Sequence, residues 1–379
     1  MERDFPHEML REIYEQPEAI RRTLALYING LELNPAFFAP LAEWRNPRGE
    51  ILIAASGSSR HSGLAAEILL EYQCGLAVDV EYASEYSCRG GADSRSLAHR
   101  NPSVIVLSQS GETSDTLAAL REARQRGQKT LAITNVEDST MAREADLSMP
   151  LAAGREKAIP ATKSFTCQLT VLSTLSLYEA TSVKRLSDSQ LKDSIRALEA
   201  LPASIEAQLP RWEEAMAALA AKYRSASTFL YLGRGIHYAI AREGALKLKE
   251  ASYIHAEGYP TGELKHGPNA LVSDEVPLVV LATVDRSDEA SVLRYEKTLE
   301  LLRDMKTQGA HVVAIANRGD KEIAALVSDC VFVDDAPEHL LPISEVIPLQ
   351  LFAYFMALEH GVDVDRPRNL AKAVIERQR

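Results

Sequence analysis

Residues 103–116 read SVIVLSQSGETSDT, and the architecture of the chain is legible from this stretch outward. Residues 104–107 (VIVL) form a short, wholly apolar run, the pattern of a strand covered on both faces of a sheet. The run stops at Ser108-Gln109-Ser110-Gly111-Glu112-Thr113, and a helical pattern follows over 116–126. A strand that empties into hydroxyls at a helix start is a trap for an anion. The first helical N–H groups lack partners, the helix dipole favours negative charge, and Ser and Thr hydroxyls donate further bonds. Gly111 lets the backbone come close to a ligand. The expected ligand is a phosphate on a small molecule.

The same grammar occurs twice. Residues 50–56 (EILIAAS) lead into Gly57-Ser58-Ser59, and 228–232 (TFLYL) lead into Gly233-Arg234-Gly235. The runs at 104–107, 131–135 and 145–151 match those at 278–281, 313–317 and 327–333. Helical stretches such as 117–127 and 293–309 lie between them, the latter ending in a Gly C-cap. Each half reads β-α-β-α-β, which implies an α/β fold with a parallel sheet flanked by helices and a ligand beyond the strand C-termini. Only the first half carries the hydroxyl cradle, so one phosphate site per chain is expected. Residues 1–27 read as a helical arm, 28–200 and 201–360 as the two α/β domains, and 361–379 as a tail in which Pro367 starts a last short helix. Residues 184–227 read as helices broken at Pro202 and Pro210.

Bulk composition narrows the function. The 379 residues are 46% hydrophobic and 25% charged, ordinary globular material long enough for two domains. A net charge of −11 without a basic cluster argues against nucleic-acid or anionic-membrane partners. Cys74, Cys88, Cys167 and Cys330 form no CxxC pair, which suits reduced thiols in the cytoplasm. The N-terminus is charged throughout and no signal peptide. No apolar run is read as approaching the ~18 residues of a membrane span. P-loop, GxGxxG, HExxH and GxSxG motifs are all missing. Neither a cofactor nor a metal is called for, so the chemistry falls to Glu, Lys and His.

Residues 241–254 (AREGALKLKEASYI) have helical periodicity. Lys247 and Glu250 share a face, Glu243 lies one turn back, and Lys249 points elsewhere. The ordinary reading of that spacing is a surface ion pair worth ~0.3–0.5 kcal/mol. The alternative is a base beside a charge stabiliser. His266 stands in residues 258–269 (GYPTGELKHGPN), read as a long ordered loop. It is either a solvated side chain or a general acid/base, a task suited to imidazole. Lys372 in the tail is, by itself, an ordinary solvated lysine. Lys163 either helps to neutralise the phosphate or caps the preceding loop.

Taken together, REIYEQPEAIRRTL (11–24), LSQSGETSDTLAALR (107–121), ATKSFTCQLTVL (161–172), LGRG (232–235), EGALKLKEASYIHAEGYPTGELKHGP (243–268) and DVDRPRNLAKAV (363–374) resemble the sugar isomerase (SIS) family. Within it they are most similar to the isomerase domains of glutamine–fructose-6-phosphate aminotransferases. The resemblance implies two tandem SIS domains, each a flavodoxin-like parallel sheet flanked by helices. It implies that Ser59, Ser108, Gln109, Ser110 and Thr113 hold a sugar phosphate. Glu250 moves a proton between C1 and C2, Lys247 stabilises the enediolate-like charge, and His266, supplied by a neighbouring subunit, opens the ring. Lys372 forms a Schiff base with the ketose, and Ala161, Thr162 and Ala371 line the sugar. The implied assembly is a homodimer with a shared active site.

Two departures shape the expected function. The family's glutaminase domain has no counterpart in this sequence, and Ala161, preceded by Pro160, replaces a sugar-contacting serine. The expectation is a glutamine-independent aminosugar-phosphate isomerase/deaminase, interconverting glucosamine 6-phosphate with fructose 6-phosphate and ammonia. A ketose/aldose isomerase or deglycase for another phosphosugar, such as a fructosamine 6-phosphate, is the first alternative. A non-catalytic sugar-phosphate sensor is the second.

Overall fold

The computed structural model describes residues 3–46, 48–88 and 101–372. The chain divides into two compact units. One comprises Met1–Pro17, Lys157–Thr162 and Ala200–Leu370, the other Glu18–Glu156, Lys163–Glu199 and Ala371–Arg379.

Helices α1 (Glu8–Tyr14) and α2 (Gln16–Tyr27) open the chain. The first sheet follows, with strands β1 (Glu50–Ala55), β2 (Ala77–Tyr82), β3 (Ser103–Ser108), β4 (Thr130–Thr134) and β5 (Leu147–Pro150). All neighbours are parallel, in the order β2-β1-β3-β4-β5. Helix α3 (Gly57–Leu69) follows β1, α4 (Ser114–Gln125) follows β3, and α5 (Lys163–Ser182) packs on α3. Ile105 and Leu107 of β3 join one apolar cluster, while Val104 and Val106 join another on the opposite face. Burial on both sides explains why the strand reads as an unbroken apolar run.

After α6 (Asp188–Tyr223) the plan repeats. Strands β6 (Thr228–Gly233), β7 (His255–Pro260), β8 (Leu278–Leu281), β9 (Val312–Asn317) and β10 (Asp329–Val333) form a second parallel sheet, in the order β10-β9-β8-β6-β7. Read from its other edge this is β7-β6-β8-β9-β10, place for place the order of the first sheet. The helices are α7 (Ile236–Ser252), α8 (Glu289–Thr307) and α9 (Leu341–Glu359). Both sheets reverse their winding between the first and third strands, so each has one switch point beyond its strand ends, where such folds take ligands. Gly309, at φ 74°, stands beyond the end of α8, as its C-cap signal indicates.

Several expectations need correction. Pro202 and Pro210 lie inside α6 without breaking it. A proline in a helix interior costs about 3 kcal/mol. Here Leu198, Leu201, Ile205, Leu209, Trp212 and Met216 form a buried stripe that runs through both prolines and holds the helix. Helix α9 is long and apolar enough to span a membrane by length and composition, contrary to the reading of the sequence. Its apolar window is 89% buried within the protein, so it is a core helix, mostly apolar because it is largely enclosed. Residues 258–260 complete β7 rather than opening a loop, and 3₁₀ turns Thr261–His266 and Pro268–Leu271 follow. Pro367 begins no helix up to Lys372, and residues 373–379 lie outside the described residues.

Candidate active site

The loop after β3 is rich in hydroxyls and held by hydrogen bonds. Ser108 Oγ lies 3.0 Å from Thr113 Oγ1 and 3.5 Å from Ser110 Oγ. The Gly111 N–H donates to Ser108 Oγ at 3.2 Å, and the Glu112 N–H to Ser110 Oγ at 3.1 Å. Asn135 and Met141 donate their N–H groups to the carbonyls of Gln109 and Gly111, tying the loop down. Gly111 has φ +66°, and a Cβ there would run into the Ser139 side chain, so no other residue fits. Thr113 is the N-cap of α4, yet its side chain makes no cap bond. The first N–H groups of α4 are therefore not satisfied by that hydroxyl and remain suited to an anion.

Across the same switch point, α3 also begins without a side-chain cap from Ser56. Ser59, in its first turn, accepts a hydrogen bond from Gln168 Nε2 at 2.9 Å, and Ser62 Oγ donates to Gln168 Oε1 at 2.9 Å. Gln168, 1% exposed on α5, thus orients Ser59. The sequence reading missed it, although a glutamine within the helical stretch 161–172 was a visible signal.

Glu243, Lys247 and Glu250 share one face of α7. Lys247 and Glu243 are both 0% exposed. Lys247 Nζ stands 3.5 Å from Glu243 Oε1 and donates to Glu250 Oε2. Glu250 retains 22% side-chain exposure and is the member of the group open to a ligand. The surface-pair reading is therefore overturned: an ammonium enclosed with two carboxylates is a buried ion cluster. Removing one partner of such a pair costs about 3–5 kcal/mol. Lys249 is exposed, as its spacing requires.

The remaining candidates are spread along the chain. His266 is exposed at the end of its 3₁₀ turn. Lys372 Nζ donates to Glu156 Oε2 at 2.6 Å, and Glu156 also accepts from the Ser164 N–H and Oγ at 3.1 and 2.7 Å. Lys163 is 2% exposed and donates through Nζ to the Arg155 carbonyl at 2.6 Å, which favours the loop-holding reading over the phosphate-neutralising one. Ala161 is half-buried, Thr162 buried and Ala371 exposed. Buried Glu12 accepts the backbone N–H groups of Lys157 and Ala158, fixing the segment that leads to Ala161.

The second switch point was not singled out in the sequence, and it holds a different set of groups. His237, 3% exposed in the first turn of α7, has Nδ1 2.8 Å from Glu345 Oε1. Its Nε2 makes an ion-pair contact with Glu338 Oε1 at 3.3 Å rather than a directed hydrogen bond. Burial alone would lower the His237 pKa, but the charges of Glu345 and Glu338 outweigh it and raise it to about 10. Burial alone would likewise raise Glu338, and His237, Ser291 and Arg294 instead hold it down to about 2. Among the described residues, no group of three or more His, Cys, Asp or Glu side chains is arranged to hold a metal ion.

Comparison with known proteins agrees with this plan. The family described as SIS domain matches residues 45–178 and 222–360. The glutamine–fructose-6-phosphate aminotransferase (isomerizing) of Chlorobaculum tepidum is 40% identical over 373 residues, covering 98% of this chain and 58% of that protein. Its namesake from Aquifex aeolicus is 41% identical over 370 residues, covering 98% and 58%. The chain thus spans about 58% of the length of these curated relatives. The C-terminal domain of glucosamine-fructose-6-phosphate aminotransferase from Francisella tularensis superposes with a TM-score of 0.84 at 33% identity, over 96% of this chain and 98% of that one.

Proposed function

This chain belongs to the SIS domain family, and from that premise we propose that it is an aminosugar-phosphate isomerase/deaminase, interconverting glucosamine 6-phosphate with fructose 6-phosphate and ammonia. One observation supports catalysis above all: Lys247 is buried between Glu243 and the more open Glu250 on a single helix face. Holding a phosphate requires none of these three. A proton shift between neighbouring carbons requires a carboxylate base and a cation for the developing oxyanion.

In this proposal the hydroxyl nest Ser108–Thr113 with Ser59 grips the phosphate, and that remote grip positions the reacting carbons. His266 of a neighbouring subunit opens the sugar ring, for which its exposed position is suited. Glu250 takes the C2 proton of the open aminoaldose and returns it to C1, while Lys247 balances the charge on the C1 oxygen. Water then hydrolyses the resulting C2 imine, releasing ammonia and leaving the ketose. In the reverse direction the Lys372 amine adds to the ketose carbonyl, with Ala161, Thr162 and Ala371 along the sugar. The protein acts as a homodimer, in a cytoplasmic setting that suits its four free cysteines.

The decisive experiment incubates the purified chain with glucosamine 6-phosphate and follows ammonia, fructose 6-phosphate and deuterium exchange at C2. The expected result is turnover in the wild type and its loss in Glu250→Gln. Binding without exchange would instead identify a sensor. Ala161 favours one competing reading, a deglycase or isomerase for another phosphosugar, because it removes a hydroxyl from the sugar pocket. Faster turnover of a fructosamine 6-phosphate in a substrate panel would establish that reading.

A further inference from the structure

The second switch point holds a receptor for an anion that is already filled. Glu338 lies in the connection from β10 to α9, and its carboxylate meets donors from two helices. Arg294 of α8 gives Nε at 2.7 Å and Nη2 at 2.6 Å to Oε1. Ser291 Oγ of the same helix donates to Oε2, and His237 of α7 approaches Oε1 at 3.3 Å. The Glu338 N–H is itself held by Asp285 Oδ2 at 3.2 Å. Gly235, at φ +59°, leaves room for the Arg294 side chain, which a Cβ would meet at 2.7 Å from Cδ.

The neighbouring donors are taken up in the same way. Asp288 caps α8 through the N–H groups of Ala290 and Ser291, where α4 in the first half has no side-chain cap. Glu345 accepts from Thr283 Oγ1 and lies against His237 Nδ1. The loop and helix starts at the matching places of the first half carry Ser59, Ser108, Ser110 and Thr113 and, among the described residues, no carboxylate bound to them.

We propose that Glu338 is a built-in anion, occupying in the second half the seat that corresponds to the phosphate nest of the first, and thereby restricting the chain to one phosphosugar. Only the correspondence with a phosphate nest rests on the function proposed above; the seat itself rests on its own donors. A small carboxylate or phosphate is the chemical class it would accept if Glu338 were removed. The charge on His237, raised by Glu345 and Glu338, fits a seat built around an anion.

Chemical rescue tests this on the full chain. Glu338→Ala is expected to unfold at a lower temperature than the wild type. Acetate, which replaces the deleted carboxylate, should raise its midpoint by about 5 °C more than chloride at equal ionic strength. The wild type should not show this difference. Glu338→Gln keeps the seat filled without the charge; it should be destabilised and gain nothing from acetate. If Glu338→Ala does not fold in chloride, its refolding yield should depend on acetate. Equal responses of Glu338→Ala and Glu338→Gln, or no response of Glu338→Ala, would overturn the proposal.

Calorimetry separates the two proposals. One equivalent of glucosamine 6-phosphate bound by the wild type, with no acetate effect in Glu338→Ala, would sink the seat alone. No sugar phosphate bound by the wild type would sink the functional assignment, and acetate rescue would still decide the seat.

Discussion

The two halves of this chain share one strand order and differ in what stands where that order reverses. In the first half the switch point is lined by Ser59, Ser108, Ser110 and Thr113, and α3 and α4 begin without side-chain caps. In the second half Asp288, Glu338 and Glu345 spend their carboxylates on the local donors, and α7 carries its charged cluster at its other end. Matching carboxylates show the divergence. Glu156, in the connection from β5 to α5, takes Lys372 and Ser164, whereas Glu338, in the connection from β10 to α9, takes Arg294, Ser291 and His237. On the two proposals above, a repeated fold supplies two anion positions, one for a ligand and the other closed by the protein's own charge.

The largest expected effect divides the labour between the halves. Glu250→Gln should lower kcat by about 10³-fold while KM for the phosphosugar changes little, because in the proposed mechanism it removes the base and leaves the phosphate contacts untouched. Steady-state kinetics with C2 isotope exchange measures both. A rise in KM at unchanged kcat would place Glu250 in binding and erase the contrast.

Next comes the charge balance of the closed switch point. His237 has a folded pKa of about 10 against 6.5 for the free side chain, so its stabilising contribution is fully present below about pH 6.5 and is lost as pH rises through about 10. Glu338, at about 2 against 4.5, contributes above about pH 4.5 and loses that contribution as pH falls through about 2. Arg294, Asp285, Asp288 and His339 also surround this group. Urea unfolding should show the wild type losing on the order of 3 kcal/mol between pH 7 and 10 relative to His237→Gln. Parallel pH profiles for the two proteins would show that the pair is not held in this way.

A smaller effect belongs to the open switch point. Ser110→Ala should raise KM about tenfold and leave kcat within about twofold, the signature of a lost ground-state phosphate contact. A competition assay with inorganic phosphate gives the same reading without catalysis. A loss confined to kcat would count against the nest.

The smallest effect concerns β6. The Tyr231 hydroxyl is buried and has no hydrogen-bond partner among the described residues. Tyr231→Phe should therefore be neutral or stabilising by up to about 1 kcal/mol, read from its thermal midpoint. A clear loss of stability would reveal a partner for that hydroxyl.

Much of the fold was legible because strands buried on both faces leave continuous apolar runs, and four strands of each sheet were readable from runs such as VIVL and LVVL; β2 and β7, whose residues alternate between polar and apolar or carry Gly and Pro, were not. The hydroxyl-rich loop Ser108–Thr113 was legible because its residues are consecutive. Gln168 and Glu338 were not, since each acts on partners 109 and 44 residues away. Pro202, Pro210 and the apolar length of α9 misled because local propensity does not register burial against the rest of the protein.

By itself the sequence determined the repeat, the parallel sheets and the position of the hydroxyl-rich loop, since periodicity and consecutive side chains are local quantities. Tertiary structure decided that the Lys247 group is interior rather than superficial, and that a carboxylate fills the second switch point. Both depend on desolvation and on the meeting of distant segments, which no spacing along a chain encodes.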